Sequence, residues 1–139
     1  MTRHDLALAG LVAAGGAIGS VGRYLVGVAL PRGGFPLATL LVNVVGCLLI
    51  GMIGQLLQRF TADASLKHSA AELLLITTLR HAVIVGFLGG LTTFSAFGWD
   101  TTRLFLDDRP LLALANIGAN LIVGLLAVWM GMMLVRLWG

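Results

Sequence analysis

The run Gly86-Phe87-Leu88-Gly89-Gly90-Leu91-Thr92-Thr93-Phe94-Ser95-Ala96-Phe97 holds the densest group of residues in this chain that could do chemistry. Paired glycines followed by Thr-Thr weaken a helix, and in apolar surroundings non-helical backbone survives only where protein, a cavity or an ion satisfies it. Carbonyls freed in this way are good ligands for a hard cation such as sodium. Phe94 and Phe97, at i and i+3, put two rings on one face, where positive ring edges could meet a small anion. The plainer alternative is packing against lipid or another helix. Thr92, Thr93 and Ser95 add hydroxyls that could serve an ion or bond their own backbone.

Three asparagines carry the other polar groups inside apolar runs. Asn43 lies in Thr39-Leu40-Leu41-Val42-Asn43-Val44-Val45-Gly46. Its amide offers two donors and an acceptor, enough to replace water around an anion or to bond a neighbouring helix. Asn116 and Asn120 are spaced i, i+4 and share one helical face, which suggests a track. Arg23 lies eight residues before Pro31, about 12 Å at helical rise, so it could snorkel or lend positive potential to a vestibule. Gly15/Gly19 and Gly86/Gly90 have the GxxxG spacing of closely packed helices. Cys47, the one cysteine, cannot form an internal disulfide and has no His or Cys at metal-ligand spacing.

These residues must be positioned by elements that live in a bilayer. The 139 residues are 58% hydrophobic and only 11% charged, with a mean hydropathy of +0.99; a soluble domain carries about 25% charged residues. A hydrocarbon core about 30 Å thick needs roughly 20 apolar helical residues to cross it. Four such runs are expected, over about residues 6–30, 36–57, 77–106 with a break near 89–92, and 110–135, forming a single transmembrane domain over 1–139. Residues 58–69 are expected to form an aqueous loop, and Arg80-His81 to interrupt the third run. The N-terminal run is too long for the hydrophobic part of a signal peptide, about 7–15 residues.

The charge of +3 sits singly between apolar runs and forms no basic stripe, so nucleic acid is excluded as a partner. Positive residues count five (Arg3, Arg59, Lys67, Arg80, Arg136) on one side against three (Arg32, Arg103, Arg109) on the other, or four with Arg23. That near-balance is compatible with insertion both ways up. No Asp or Glu lies within spans one, two or four. A proton-coupled carrier or a drug-cation carrier would need one, so a pathway here suits an anion and a passive mechanism. An enzyme is not expected, because no nucleophile, base and orienting group occur together.

With Gly15-Gly16, Gly19, Gly22-Arg23-Tyr24, Thr39-Leu40, Val42 to Gly46, the Gly86–Phe97 run and the polar i, i+4 pair in span four, the chain resembles the small bacterial fluoride channels of the CrcB or Fluc family. The resemblance covers all four spans in order. It implies an all-α, dual-topology antiparallel homodimer in the bacterial plasma membrane, with fluoride pores that export fluoride passively and lower its cytoplasmic concentration. It also implies a structural Na+ at the dimer centre, held by backbone carbonyls that match Gly89 and Thr92. The family's pore phenylalanines match Phe94 and Phe97, its pore asparagine Asn43, its vestibule arginine Arg23, and its polar track Asn116 and Asn120; Ser95 and Thr93 are further donors beside them.

Ala96 stands where the family usually has Thr, Asn120 where it usually has Ser, and the segment 61–79 is longer than usual. Two rivals remain at this point. A small multidrug transporter has a similar size but needs a buried Glu in span one, and here there is none. A non-conducting membrane assembly subunit would use the same glycines and asparagines only to pack helices.

Overall fold

The computed structural model is all-helical and describes residues 2–30, 33–62 and 69–138. Four of its helical segments are long and apolar enough to cross a membrane, so this is a multi-pass membrane protein. Helix α1 spans Arg3–Ala29 and α2 spans Leu37–Ala62. Helix α3 covers residues 70–91: it is α-helical over Ala70–Leu79, winds as a wider π-helix over Arg80–Leu88, and closes with a short α-helical piece at Gly89–Leu91. Helix α4 is Phe94–Leu106. Helix α5 covers 110–137, with π-winding at Ala119–Val123 between Pro110–Gly118 and Gly124–Leu137.

The helix starts are written locally. Thr2 Oγ1 accepts from the Asp5 N–H at 3.2 Å while Asp5 Oδ2 accepts from the Thr2 N–H at 2.8 Å, a reciprocal capping box. Ser69 and Glu72 repeat the device at the start of α3, at 3.2 and 2.7 Å. Pro110 opens α5 at a position where its missing N–H leaves nothing unpaired. The tight α4–α5 turn places Asp108 at φ 55°, a conformation that Asp tolerates better than most side chains.

Helix therefore extends further into the expected 58–69 loop than composition suggested: α2 runs to Ala62 and the Ser69 cap starts α3 at Ala70. Residues 63–68, with Lys67, lie outside the described residues, as does Arg32. Arg80 and His81 do not interrupt the helix either. Their backbone stays helical, and His81 Nδ1 lies 2.7 Å from the Thr77 carbonyl one turn back.

Between lipid-facing helices there is no hydrophobic drive to associate, so close van der Waals packing must hold the bundle. Glycines supply it. A Cβ on Gly15 or Gly19 of α1 would land on the carbonyl oxygen of Ala82 or Phe87 of α3, and one on Gly90 would land on that of Gly16. The same holds between α2 and α5, where Gly51 meets the Val128 carbonyl and Gly131 the Leu48 carbonyl. Val42, Leu88 and Leu91 form the buried apolar centre, with Val26, Leu49, Ile53 and Phe87 packed around it.

Helical geometry fails at Thr92 and Thr93, not at the paired glycines. Thr92 is extended at φ −84°, ψ 158° and Thr93 at φ −155°, ψ 118°, whereas Gly89 is helical at φ −62°, ψ −35°. The physical reason is the α1 contact, since Gly86 and Gly90 lie against Val12, Gly15 and Gly16 and are needed in register as helix. Thr93 then caps α4, its Oγ1 accepting from the Ala96 N–H at 3.1 Å. Thr93→Ala is expected to lower stability by about 1 kcal/mol through loss of that cap, with Thr93→Ser close to the parent. Thermal unfolding in detergent checks this, and equal melting of all three proteins would count against the cap.

Candidate functional site

The two extended residues create the site: the Thr92 N–H still donates to the Leu88 carbonyl at 3.0 Å, but the Thr93 and Ala96 amides find other acceptors and leave carbonyls behind. The Thr93 N–H would ordinarily donate to the Gly89 carbonyl; here it donates to Asn43 Oδ1 at 2.9 Å. The Ala96 N–H would ordinarily serve the Thr92 carbonyl, and donates to Thr93 Oγ1 instead. Gly89 and Thr92 thus both lose their helical donors. Gly89 is exposed and Thr92 half-buried, and both line a cavity at the subunit surface. Such carbonyls suit a hard monovalent cation, and the residues present fit sodium. Among the described residues there is no group of three or more His, Cys, Asp or Glu that could hold a metal, so any ion here would rest on backbone oxygen.

Asn43 is the hinge of the arrangement. Its Nδ2 donates to the Thr93 carbonyl at 3.3 Å and to Asn120 Oδ1 at 2.9 Å, so one side chain from α2 holds both backbone polar groups of the extended residue that caps α4. On α5, Asn120 Nδ2 donates to the Asn116 carbonyl at 3.0 Å and to Asn116 Oδ1 at 2.9 Å. Asn116 Nδ2 donates in turn to Thr101 Oγ1 of α4 at 2.9 Å.

A cavity of about 350 Å³ opens on this side of the subunit, lined among others by Asn43, Gly89, Thr92, Thr93, Phe94, Phe97 and Asn120. The Phe94 and Phe97 rings lie 5.4 Å apart between centroids and tilted by 54°, so an edge of one faces the other's surroundings rather than stacking flat. Phe97 is buried at 9% exposure, while Phe94 is 81% exposed. Ser95 Oγ lies 3.1 Å from Thr93 Oγ1 and is exposed.

The structure therefore gathers Asn43, Thr93, Phe94, Phe97 and Asn120 around one cavity, with Ser95 attached through Thr93. Two expected residues stand behind it. Asn116 has no exposed surface at all and reaches the cavity only through Asn120. Arg23 does not line it; its Nη1 donates to the Thr92 carbonyl at 3.3 Å, which directs the guanidinium at the extended segment rather than along the helix toward Pro31. A carbonyl has two lone pairs, so this long bond leaves the Thr92 oxygen able to take a second partner.

Composition and spacing missed two features. Thr101, 8% exposed, lies i+4 from Phe97 and donates to its carbonyl at 2.7 Å; the Thr93-Phe97-Thr101 spacing on one helix face was the available signal. Asp100 accepts from Thr39 Oγ1 at 2.7 Å across to α2, a partnership that no local pattern announces. Asp100 also lines a second cavity of about 500 Å³ at the end of α4, together with Arg103, Asp107, Arg109 and the Gly33–Pro36 turn.

Comparison with known proteins bears on these features together. The family described as CrcB-like protein, Camphor Resistance (CrcB), matches residues 10–132. The chain is 42% identical over 130 residues to a protein of Prosthecochloris aestuarii named fluoride-specific ion channel FluC, covering 92% of each chain. It is 44% identical over 130 residues to the protein of that name from Rhizobium etli, covering 91% of this chain and 94% of the relative. It is 40% identical over 121 residues to fluoride-specific ion channel FluC 1 of Bradyrhizobium diazoefficiens, covering 86% and 78%. The matched stretch includes all four membrane-spanning segments in their greater part and every residue placed around the cavity, and on that basis this chain belongs to the CrcB family.

Proposed function

We propose that this chain is the subunit of a passive, fluoride-selective channel in the bacterial plasma membrane, through which fluoride leaves the cytoplasm, and that two copies assemble antiparallel around a central sodium ion. The observation that carries the reading is the cavity where two phenylalanine rings, the Asn43 amide and the extended Thr92–Thr93 backbone meet. The names of the relatives support it independently.

Fluoride is small and tightly hydrated, so a selective path must offer donors in place of water, in a setting dry enough to strengthen them. The Thr93–Ser95 hydroxyl pair supplies the donor, and the Asn43 and Asn120 amides, with Asn116 behind them, hold the surrounding backbone in place through their own hydrogen bonds. Phe94 and Phe97 supply positive ring edges and exclude water. Arg23 adds positive potential at the extended segment. Among the described residues no carboxylate lines the cavity of about 350 Å³, which favours an anion and leaves no group to couple its movement to protons. Flow is therefore downhill, and it lowers cytoplasmic fluoride whenever the electrochemical gradient points outward.

Assembly with a second copy is supported by the cavity's open side and by Phe94, an apolar ring 81% exposed beside it. The near-balance of positive charge across the spans supports both orientations in the membrane. Gly89 and Thr92 of each subunit would hold sodium, which when bound supplies a fixed positive charge beside the pathway. An ion on a two-fold axis would see the same ligands from both chains.

The test is ion efflux from liposomes holding the purified protein, followed with fluoride and chloride electrodes, with a potassium ionophore present. Rapid fluoride loss with little chloride loss is expected. Well-folded protein that releases no fluoride would leave the asparagines and glycines as packing residues of a non-conducting subunit.

A further inference from the structure

We propose that Thr101 and Asn116, neither of which lines the cavity, are positioning residues that orient the Asn43 amide and the first turn of α4 through a closed, one-directional ring of hydrogen bonds. The ring starts at the Thr93 N–H, which donates to Asn43 Oδ1. It continues from Asn43 Nδ2 to Asn120 Oδ1, from Asn120 Nδ2 to Asn116 Oδ1, and from Asn116 Nδ2 to Thr101 Oγ1. It ends where Thr101 Oγ1 donates to the Phe97 carbonyl. Thr93 caps α4 and Phe97 lies in its first turn, so the backbone of α4 closes the circuit.

Its polarity is dictated by chemistry at both ends. Which way an asparagine amide faces is not visible from shape alone and must be decided by its partners. A backbone N–H can only donate, so Asn43 must present oxygen to Thr93 and nitrogen to Asn120. A backbone carbonyl can only accept, so the Thr101 hydroxyl proton goes to Phe97 and its lone pair is left for the Asn116 amide. Every bond then points the same way round, and bonds aligned in a chain polarise and strengthen one another. The far side of the ring is deeply enclosed: Asn116 has 0% exposure and Thr101 8%. In an apolar bundle an amide with no partner there has nothing to turn to.

The consequence is that the two donors of Asn43 are committed to the Thr93 carbonyl and to Asn120, and its orientation is set from residues behind the cavity. Phe94 and Phe97 ride on the turn that the ring clamps. Thr101 and Asn116 thereby govern a cavity they do not line. The transport arm of the test rests on the channel reading, whereas the ring itself does not.

Side-chain amide hydrogen exchange, measured by NMR on the full chain in detergent, tests the ring without any variant. The Asn43 amide protons are expected to exchange much more slowly than those of exposed Gln58; exchange at the Gln58 rate would overturn the proposal, even if other variants fail to fold. Thr101→Val keeps the side-chain shape and removes the hydroxyl, while Thr101→Ser restores it. Losing one link of buried hydrogen bonding is expected to reduce fluoride efflux per folded protein roughly tenfold and to erase the Asn43 protection, with Thr101→Ser keeping both. A Thr101→Val protein that melts earlier yet keeps the parent's efflux and Asn43 protection would show a merely structural role and sink the proposal. A parent that conducts no fluoride would defeat the channel reading, and the exchange measurement would still decide the ring.

Discussion

Asn43→Leu is expected to abolish fluoride efflux, by roughly a hundredfold or more, given a cost of about 1–3 kcal/mol for each buried polar group left without its partner. Leucine is close to asparagine in size, so the change is chemical before it is steric. It strips the Thr93 N–H of its acceptor and the Thr93 carbonyl of its donor, and it removes the donor to Asn120 Oδ1. While Thr92 and Thr93 stay extended the Thr93 N–H has no helical acceptor to return to, and lipid supplies no water. Asn43→Asp makes the case sharper: it keeps an acceptor for the Thr93 N–H but sets carboxylate oxygen against the Thr93 carbonyl and Asn120 Oδ1, and adds negative charge to an anion path. Both variants should be compared at equal amounts of folded, monodisperse protein. Parent-like efflux from Asn43→Leu would remove Asn43 from the mechanism.

The second large effect concerns assembly of the bundle and needs no assumption about transport. Gly19→Val places side-chain carbons against the Phe87 carbonyl, with the Leu91 N–H nitrogen 2.8 Å from the first of them. The obstruction is backbone, so no rotamer relieves it, and α1 must part from α3. The loss is put at about 3 kcal/mol or more, the upper range for overpacking a close contact. Gly27→Ala is the control: nothing lies within 4 Å of a Cβ there, and alanine is the better helix former by up to about 1 kcal/mol. Melting curves in detergent that coincide for the two variants would mean that glycine packing does not hold α1 against α3.

The fold was largely legible because a bilayer imposes a length and polarity rule on every span. Four apolar runs of sufficient length became four membrane-suited helical segments, with ends misjudged where local caps decided them, as at Ser69. The candidate site was legible in its members more than in its wiring. Asn43 and the Thr92-Thr93-Phe94 run attract notice because polar residues in an apolar chain are few. That Arg23 turns to the Thr92 carbonyl, or that Asp100 meets Thr39 from another helix, depends on helix pairs separated by dozens of residues.

Composition and residues contiguous along the chain are enough to place this protein in the membrane as helices, to collect its polar chemistry near Thr92–Phe97, and to assign it to the family of the CrcB proteins. Where helical geometry gives way after Leu91 depends instead on how the helices pack. Paired glycines predict weakness by propensity, but packing against α1 holds Gly86 and Gly90 in helical register, and the interruption moves to Thr92 and Thr93, where Asn43 from α2 is at hand to satisfy the freed amide. The same contact logic makes Asn116 a fully buried support rather than an exposed part of a track. A backbone group leaves its helix only where a partner from another element can replace the lost bond, and which elements meet is a property of the packed bundle.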